Sequence, residues 1–219
     1  SAVLTVLTVG VAVAQMPTGD EEILPAGAQL EVLYDDGFFT EGAAVAPDGT
    51  VYFSDITFTF ASGEPPEAGH ILRYDPETGT TVVFRSPSGM SNGLKFDASG
   101  RLLACEGADH GGRRVTRTDL TTGKAVILAS HYNGYRFNAP NDLTLDEKGR
   151  IYFSDPKYLG HEPMEQEVFG VYRIDPDGAV TRIIADAGKP NGVAVSPDQK
   201  SLYVVSNDNG SHAFDRLPP

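Results

Sequence analysis

The sequence has a single cysteine, few basic residues and no long stretch with helical periodicity, and each deficit narrows the possibilities. Because Cys105 is the one cysteine in 219 residues, an internal disulfide is excluded, and its place in an apolar run predicts a buried, unreactive thiol. Lysine and arginine total 17 against 30 aspartates and glutamates, a net charge of −13. This balance argues against nucleic acid and anionic membranes as partners.

The missing helical pattern, together with 24 glycines and 15 prolines, indicates an all-β chain rich in turns. A short phrase recurs four times at a spacing of about fifty residues. Each copy begins with Glu or Asn, continues as an apolar run, turns, and returns through a second apolar run. The copies begin at Glu41, Asn92, Asn141 and Asn191. That pattern is one β-hairpin, repeated.

Repeats of this length built only from strands and turns predict a β-propeller, in which each repeat is one four-stranded blade around a common axis. Between the hairpins lie pairs of alternating apolar segments joined by Gly-containing turns, which we expect to be outer strands. These pairs are 71–75 with 81–84, 114–119 with 125–128, and 170–175 with 180–184. Two longer polar segments, 57–69 and 157–169, are predicted to be loops over one face.

The two ends of the chain predict an exported, truncated propeller. Residues 1–14 resemble a signal peptide that has lost its first residues, which would place the protein in the periplasm or outside the cell. A β-rich segment packed on the domain is the alternative. Residues 26–219 would form about four blades, and no closing strand is recognisable in the sequence. We therefore expect an incomplete propeller.

The repeated phrase also predicts a site. In a hairpin, the start of the first strand and the end of the second lie at the same end. Since the first strand of each blade is nearest the axis, the four starting side chains would form a ring at the mouth of the channel. Their oxygens suit Ca²⁺ or Mg²⁺. Asn before Gly is also a turn former, but Glu41 is a poor turn residue and Asn141 precedes Asp142, which favours a cation site.

Two further groups of polar residues lie near this ring in the predicted hairpins. The second strands end at Asp55, Glu106, Asp155 and Ser206. We expect the acidic members to have structural or site-supporting roles, because strand-end Asp often accepts hydrogen bonds from local backbone. A Gly-rich loop then carries His110, Arg113 and Arg114, which could contact a polyhydroxy or carboxylated substrate. A solvent-exposed loop histidine is the alternative. The histidines without ligand spacing receive no role: His70, His131, His161 and His212.

Several separate motifs, in the right order from about residue 28 onward, resemble the SMP-30/gluconolactonase/LRE-like family of six-bladed propellers. They include Ser91-Asn92-Gly93-Leu94, Ala139-Pro140-Asn141-Asp142, Tyr152-Phe153-Ser154-Asp155-Pro156 and Lys189-Pro190-Asn191-Gly192. The resemblance implies a divalent cation at the top of the channel, usually Ca²⁺, with Mg²⁺, Zn²⁺ or Mn²⁺ as alternatives. It maps the metal ligands onto Glu41, Asn141 and Asn191.

The resemblance also bears on the remaining site residues. The fourth ligand and general base, an Asp in the family, would lie beyond Pro219, so no catalytic residue is named. Asn92 is expected to meet substrate, together with His110, Arg113 and Arg114. Asp142, Asp155 and Glu106 are expected to support the ligands from behind.

The function implied is hydrolysis of a sugar lactone, through polarisation of the lactone carbonyl by the cation and attack of water. The sequence contains no Gly-x-Ser-x-Gly elbow, which argues against a serine hydrolase. A small-molecule lactone would be the partner of a monomer or small homo-oligomer. Two alternatives stay open: a phosphotriesterase-like hydrolase on the same scaffold, and a non-catalytic propeller that binds a partner.

Overall fold

The computed structural model describes residues 22–57 and 68–210. The expected signal peptide, 1–14, lies outside the described residues, as does most of the predicted loop at 57–69. The described residues 22–35 belong to a separate unit and contain turns but no helix or strand. The described residues include no helix that could span a membrane.

The second unit, from Asp36 onward, is built from antiparallel sheets. The first sheet contains β1 (Thr40–Val45), β2 (Val51–Asp55), β3 (His70–Asp75) and β4 (Thr80–Arg85), in that order. The second contains β5 (Ser91–Phe96), β6 (Leu102–Glu106), β7 (Arg114–Thr118) and β8 (Ala125–Ala129), in that order. A two-stranded ribbon follows, formed by β9 (His131–Tyr132) and β10 (Tyr135–Arg136).

The third four-stranded sheet contains β11 (Leu143–Leu145), β12 (Ile151–Asp155), β13 (Gly170–Ile174) and β14 (Val180–Ile184), again in sequence order. The last hairpin pairs β15 (Pro190–Val195) with β16 (Leu202–Ser206). The described strands therefore form three four-stranded blades, the β9–β10 ribbon and one further hairpin, and the predicted inner and outer strand pairs are confirmed.

The turns of the inner hairpins explain why these segments fold back where they do. The last turn residue adopts a left-handed conformation in every repeat, as Gly49, Gly100, Gly149 and Gln199. Glycine takes that conformation without steric cost. In the third repeat, Asp146 Oδ1 accepts hydrogen bonds from Lys148 N at 3.0 Å and Arg150 N at 2.9 Å, which closes the turn.

The first strands of consecutive blades pack against one another, β1 on β5, β5 on β11 and β11 on β15. This succession is the geometry of a propeller, in which the first strand of each blade faces the axis. The all-β propeller prediction is thus confirmed. It also brings the starts of all four hairpins to one end of a common channel.

Strand β6 shows how the blades share their cores. Its alternate residues point to opposite faces, so that Leu102 and Ala104 join a cluster with blade one, whereas Leu103 and Cys105 join a cluster with blade three. A continuous apolar run is what a strand buried on both faces requires. Cys105 is fully buried, as predicted, and burial raises the pKa of its thiol.

Candidate functional site

The four ring residues line one cavity of about 300 Å³ at the end where the first strands begin. The wall combines the polar ring with apolar side chains and the tip of the loop after β12. Its lining residues are Phe39, Glu41, Ile56, Met90, Asn92, Gly107, Ala108, Ala139, Pro140, Asn141, Tyr158, Leu159, Asn191, Asn207 and Asn209. The predicted convergence of four hairpin starts is therefore present in the fold.

Irregular pairing begins at the ring in three of the four hairpins. The register shifts between Glu41 and Ala44, between Ser91 and Leu94, and between Pro190 and Val193. A β-bulge re-aims side chains and interrupts the ladder, which suits residues that must face a channel rather than a neighbouring strand. The ring is thus a built feature of the hairpins.

The glycines that follow the ring residues permit close contact between blades. A Cβ on Gly42, whose φ is +67°, would lie 2.0 Å from Asn92 O. A Cβ on Gly93 would lie 2.7 Å from Asp142 Cα. These approaches explain the Asn-Gly phrase in blade two without a turn, because Gly is needed for contact between adjacent first strands.

Asp142 occupies the position that is glycine in the other repeats, and it links blade three to blade four. Its Oδ2 accepts a hydrogen bond from Val193 N at 2.9 Å. On the opposite side, Gly93 N donates to Asn141 O at 2.7 Å. Blades two, three and four are therefore joined at the level of the ring by polar contacts between their first strands.

Two serines hold ring residues from the neighbouring blade, a role that the sequence analysis missed. Ser54 Oγ donates to Asn92 O at 2.7 Å, and Ser154 Oγ donates to Asn191 O. The signal was available, because the Phe-Ser-Asp phrase occurs at 53–55 and again at 153–155. In blade two, Cys105 occupies the corresponding position.

The ring is electrostatically costly as it stands. Asn92 Nδ2 donates to Glu41 Oε1 at 2.8 Å. The pKa of Glu41 is raised to about 7, mainly because the carboxyl is buried. The hydrogen bond from Asn92 lowers this pKa, and the negative charge of Asp142 raises it. Burial also raises the pKa of Asp142. Glu41 is the carboxylate that lines the cavity, and an added cation beside it would stabilise its charged form.

The three predicted metal ligands offer the right donor types for a hard cation. Asn141 Oδ1 is buried and has no hydrogen-bond partner among the described residues. Asn191 Nδ2 donates to Tyr158 Oη at 3.2 Å, which leaves the oxygen of that amide as its remaining polar atom. A buried acceptor without a partner requires an explanation, and carboxylate and amide oxygens are ligands that Ca²⁺ and Mg²⁺ accept.

The strand-end residues share a different arrangement, in which they fix the backbone just before each ring residue. The bonds run from Phe38 N (2.9 Å) and Phe39 N (2.8 Å) to Asp55, from Asn138 N (2.9 Å) and Ala139 N (2.7 Å) to Asp155, and from Lys189 N (3.1 Å) to Ser206 Oγ. Asp155 is fully buried, and burial raises its pKa to about 7 despite the two N–H donors. It supports Asn141 through the backbone.

Glu106 departs from this arrangement. Its carboxylate is buried and pairs with Arg85 and, at 2.6 Å, with Arg114 Nε, and Thr116 Oγ1 donates to it at 2.9 Å. Both Glu106 and Arg114 line a separate cavity on the side of blade two. The structure therefore places them in an ion-pair cluster, and they do not line the ring cavity.

Arg113 and His110 also lie outside the lining of the ring cavity. The Arg113 guanidinium is buried, donates to Phe137 O at 2.7 Å and pairs with Glu165 at 3.1 Å. It therefore fastens two loops to each other. His110 is exposed and lies beside His161, with ring centroids 4.8 Å apart. Of the four predicted substrate contacts, Asn92 alone lines the cavity.

Tyr158 is a polar cavity residue that no sequence signal identified. It lies in the loop between β12 and β13, and its hydroxyl donates to Asn207 O at 2.8 Å besides accepting from Asn191. The loop was predicted from polar composition only, which does not indicate which side chain turns inward.

Comparison with known proteins gives a consistent result. The chain matches the model of the SMP-30/Gluconolactonase/LRE-like region over residues 39–215. It is 32% identical over 201 residues to a gluconolactonase of Zymomonas mobilis, covering 87% of this chain and 55% of the relative. It is 30% identical over 178 residues to a lactonohydrolase of Aspergillus oryzae, covering 75% of this chain and 39% of the relative.

A solved structure agrees at the level of the fold. A gluconolactonase from Xanthomonas campestris superposes with a TM-score of 0.68 at 35% identity, over 80% of this chain and 56% of that one. The chain thus spans about half the length of the relatives it matches. With a family match over most of its length and a propeller whose first strands carry the ring, the chain belongs to the SMP-30/gluconolactonase/LRE-like family.

Proposed function

We propose that the ring cavity is the active site of a divalent-metal-dependent lactonase that opens a sugar lactone. The observation that carries the proposal is Asn141 Oδ1, a buried oxygen without a partner in the described chain, on the same cavity as the Glu41 carboxylate. The relatives named gluconolactonase and lactonohydrolase support the lactone as substrate class. The cavity volume of about 300 Å³ suits a small molecule.

Glu41, Asn141 and Asn191 would hold the cation, and Ca²⁺ is the first choice because all three donors are hard oxygens. When bound, a divalent cation supplies Lewis-acid polarisation of the lactone carbonyl. The chain itself fixes the ligands in advance: Asn92 Nδ2 holds the Glu41 carboxylate, and Tyr158 Oη holds the Asn191 amide. Such preorganisation limits the entropy lost when the ligands are ordered.

The apolar part of the wall would contact the carbon skeleton of the substrate and exclude water from the carbonyl. Phe39, Ile56, Met90 and Leu159 form this part. Asn92 is available to contact the substrate as well as the ligand Glu41, because its amide donates to the Glu41 carboxylate and the residue also lines the cavity. We place the carbonyl of the lactone at the four ring residues of the protein and the carbon skeleton of the lactone against the apolar wall.

The test is a substrate panel measured with a form of the protein that spans the full length of its relatives, after treatment with a chelator and again after Ca²⁺ is restored. The panel contains gluconolactone, an aliphatic lactone and an aryl phosphotriester. Lactone hydrolysis above the spontaneous rate, lost in chelator and recovered with Ca²⁺, is expected. Preference for the phosphotriester would favour the alternative hydrolase, and rates that stay at the spontaneous level with every substrate, with or without Ca²⁺, would indicate a binding scaffold.

A further inference from the structure

A second cluster of metal-ligating side chains lies beside the ring cavity and is chemically different from it. Asp109, His110 and His161 bring one carboxylate oxygen and two imidazole nitrogens within 4.8 Å of one another. They come from two loops, one between β6 and β7 and the other between β12 and β13. We propose that these three residues bind a borderline divalent cation such as Zn²⁺, which bridges the two loops.

The donor set decides the class of cation. Imidazole nitrogens favour zinc, nickel and copper, whereas the oxygen-only ring favours calcium or magnesium. Zn–N bonds of about 2.0 to 2.1 Å place tetrahedral donors about 3.4 Å apart. Both histidines are exposed, so their side chains can close this difference by rotation without disturbing a packed core.

The backbone around the cluster is held in an unusual conformation. Asp109 and His110 both have positive φ, +66° and +65°, and consecutive non-glycine residues there are costly unless their surroundings fix them. Glu162 supplies the fixing contacts, because its two carboxylate oxygens accept hydrogen bonds from Asp109 N at 3.0 Å and His110 N at 2.9 Å. The cluster is therefore presented by a constrained turn.

Gly160 permits this contact between the two loops. A Cβ on Gly160 would lie 2.3 Å from Glu162 Oε2 and 2.5 Å from Asp109 N. The backbones of the two loops are thus already in close contact before any cation binds. Three protein ligands would leave a fourth position for water or another small ligand, as in zinc sites that are not purely structural.

The position of the cluster gives the cation a consequence for the ring cavity. Ala108 precedes Asp109, and Leu159 lies two residues before His161, and both line that cavity. A cation that joins the loops would reduce their independent motion at the mouth of the cavity. The site is nevertheless separate from the ring, because its three residues do not line the ring cavity.

The test is a titration of the chain with Zn²⁺ and with Co²⁺ in saturating Ca²⁺, which keeps the ring site occupied. One equivalent of Zn²⁺ is expected, together with visible d–d absorption of Co²⁺. His110→Ala and His161→Ala should each weaken Zn²⁺ binding by at least about tenfold, since each removes one ligand. His131→Ala is the matched control, because His131 is exposed on β9 and lies outside the cluster.

A second measurement addresses the bridge. Zn²⁺ should slow amide exchange at 107–113 and 158–165 in the wild type and leave it unchanged in His161→Ala. Glu41→Gln should bind Zn²⁺ like the wild type, which separates this site from the ring. Unchanged Zn²⁺ affinity in the two histidine variants, absence of Zn²⁺ binding in the wild type, or equal loss in Glu41→Gln would each overturn the proposal.

Discussion

Two sets of oxygen-bearing side chains repeat once per blade at the same end of this propeller, and they differ in how completely the fold satisfies them. Asp155, at the end of a second strand, accepts two backbone N–H bonds and is fully buried. Asn141, at the start of the first strand of the same blade, keeps a buried Oδ1 without a partner in the described chain. One carboxylate completes the backbone, whereas the amide oxygen remains available for a ligand.

The comparison shows that repetition of a polar residue does not by itself indicate a binding site. Both positions recur in the sequence at the same period, and both face the same end of the channel. The number of hydrogen bonds that the fold already supplies distinguishes them, because a satisfied polar group stabilises the fold whereas an unsatisfied one costs stability. Substitutions in the two sets should therefore change different measurable properties.

The largest effect on stability is expected for Asp155→Ala. The change leaves Asn138 N and Ala139 N buried without their acceptor, and each such loss costs about 1 to 3 kcal/mol. The unfolding free energy should fall by about 3 kcal/mol, measured by denaturant titration. Asp177→Ala is the control, since Asp177 accepts one bond in an exposed turn of the same blade. Equal losses in the two variants would contradict the comparison.

Glu41→Gln should impair Ca²⁺ binding and activity without lowering the stability of the metal-free protein. Without a carboxylate in the ring, Ca²⁺ affinity and kcat/KM for the lactone should each fall by about 100-fold. The metal-free protein should become more stable above about pH 7, because the costly buried charge is removed. Calorimetric Ca²⁺ titration and thermal unfolding give the two readouts. A loss of stability without a loss of Ca²⁺ affinity would place Glu41 with the structural set.

The pH dependence of stability provides a third test. Burial raises the pKa of Asp155 from 3.8 to about 7. The native carboxyl thus keeps its proton to higher pH than the unfolded one, so its contribution makes the unfolding free energy fall between about pH 4 and about pH 7 and level off above. Asp155→Asn should flatten that fall, as shown by the difference between the two stability curves. An unchanged slope would mean that Asp155 is ionised throughout this range in the fold.

Much of this arrangement could be predicted from the sequence, because strands with a period of two and turns with fixed residues are local features. The ring of hairpin starts could be predicted for the same reason, since the position of Glu41 in a repeated phrase fixes its place in a hairpin. The roles of Tyr158 and His161 could not be predicted from the sequence, because the structure of an irregular loop depends on contacts with residues far along the chain. Arg113 was misjudged because a loop arginine can be buried by ion pairing, which composition does not show.

Blade two illustrates a second limit. Its phrase places Cys105 where blades one and three have Ser54 and Ser154, and Glu106 where they have Asp. The sequence shows the difference but not its consequence, namely that Glu106 turns to Arg85 and Arg114 instead of the backbone before the ring. Substitution of one repeated residue can redirect its function while the strand and its register are retained.

The smallest effects, and the finest test of the comparison, are expected at the two serines that connect blades. Ser154→Ala removes the hydrogen bond to Asn191 O, and Ser54→Ala removes the one to Asn92 O, so each should lower the unfolding free energy by about 1 kcal/mol.

The effects of the two serine substitutions on the ring should differ, because Asn191 is a proposed metal ligand whereas Asn92 holds Glu41 through its amide. Ser154→Ala should weaken Ca²⁺ binding by about threefold to tenfold, and Ser54→Ala by about twofold or less. Calorimetric titration of both variants at matched folded fraction gives the comparison. If Ser54→Ala weakened Ca²⁺ binding more than Ser154→Ala did, Asn92 would belong to the ligand set, because Ser154→Ala disturbs both Asn191 O and the backbone N–H of Asp142, which follows the proposed ligand Asn141.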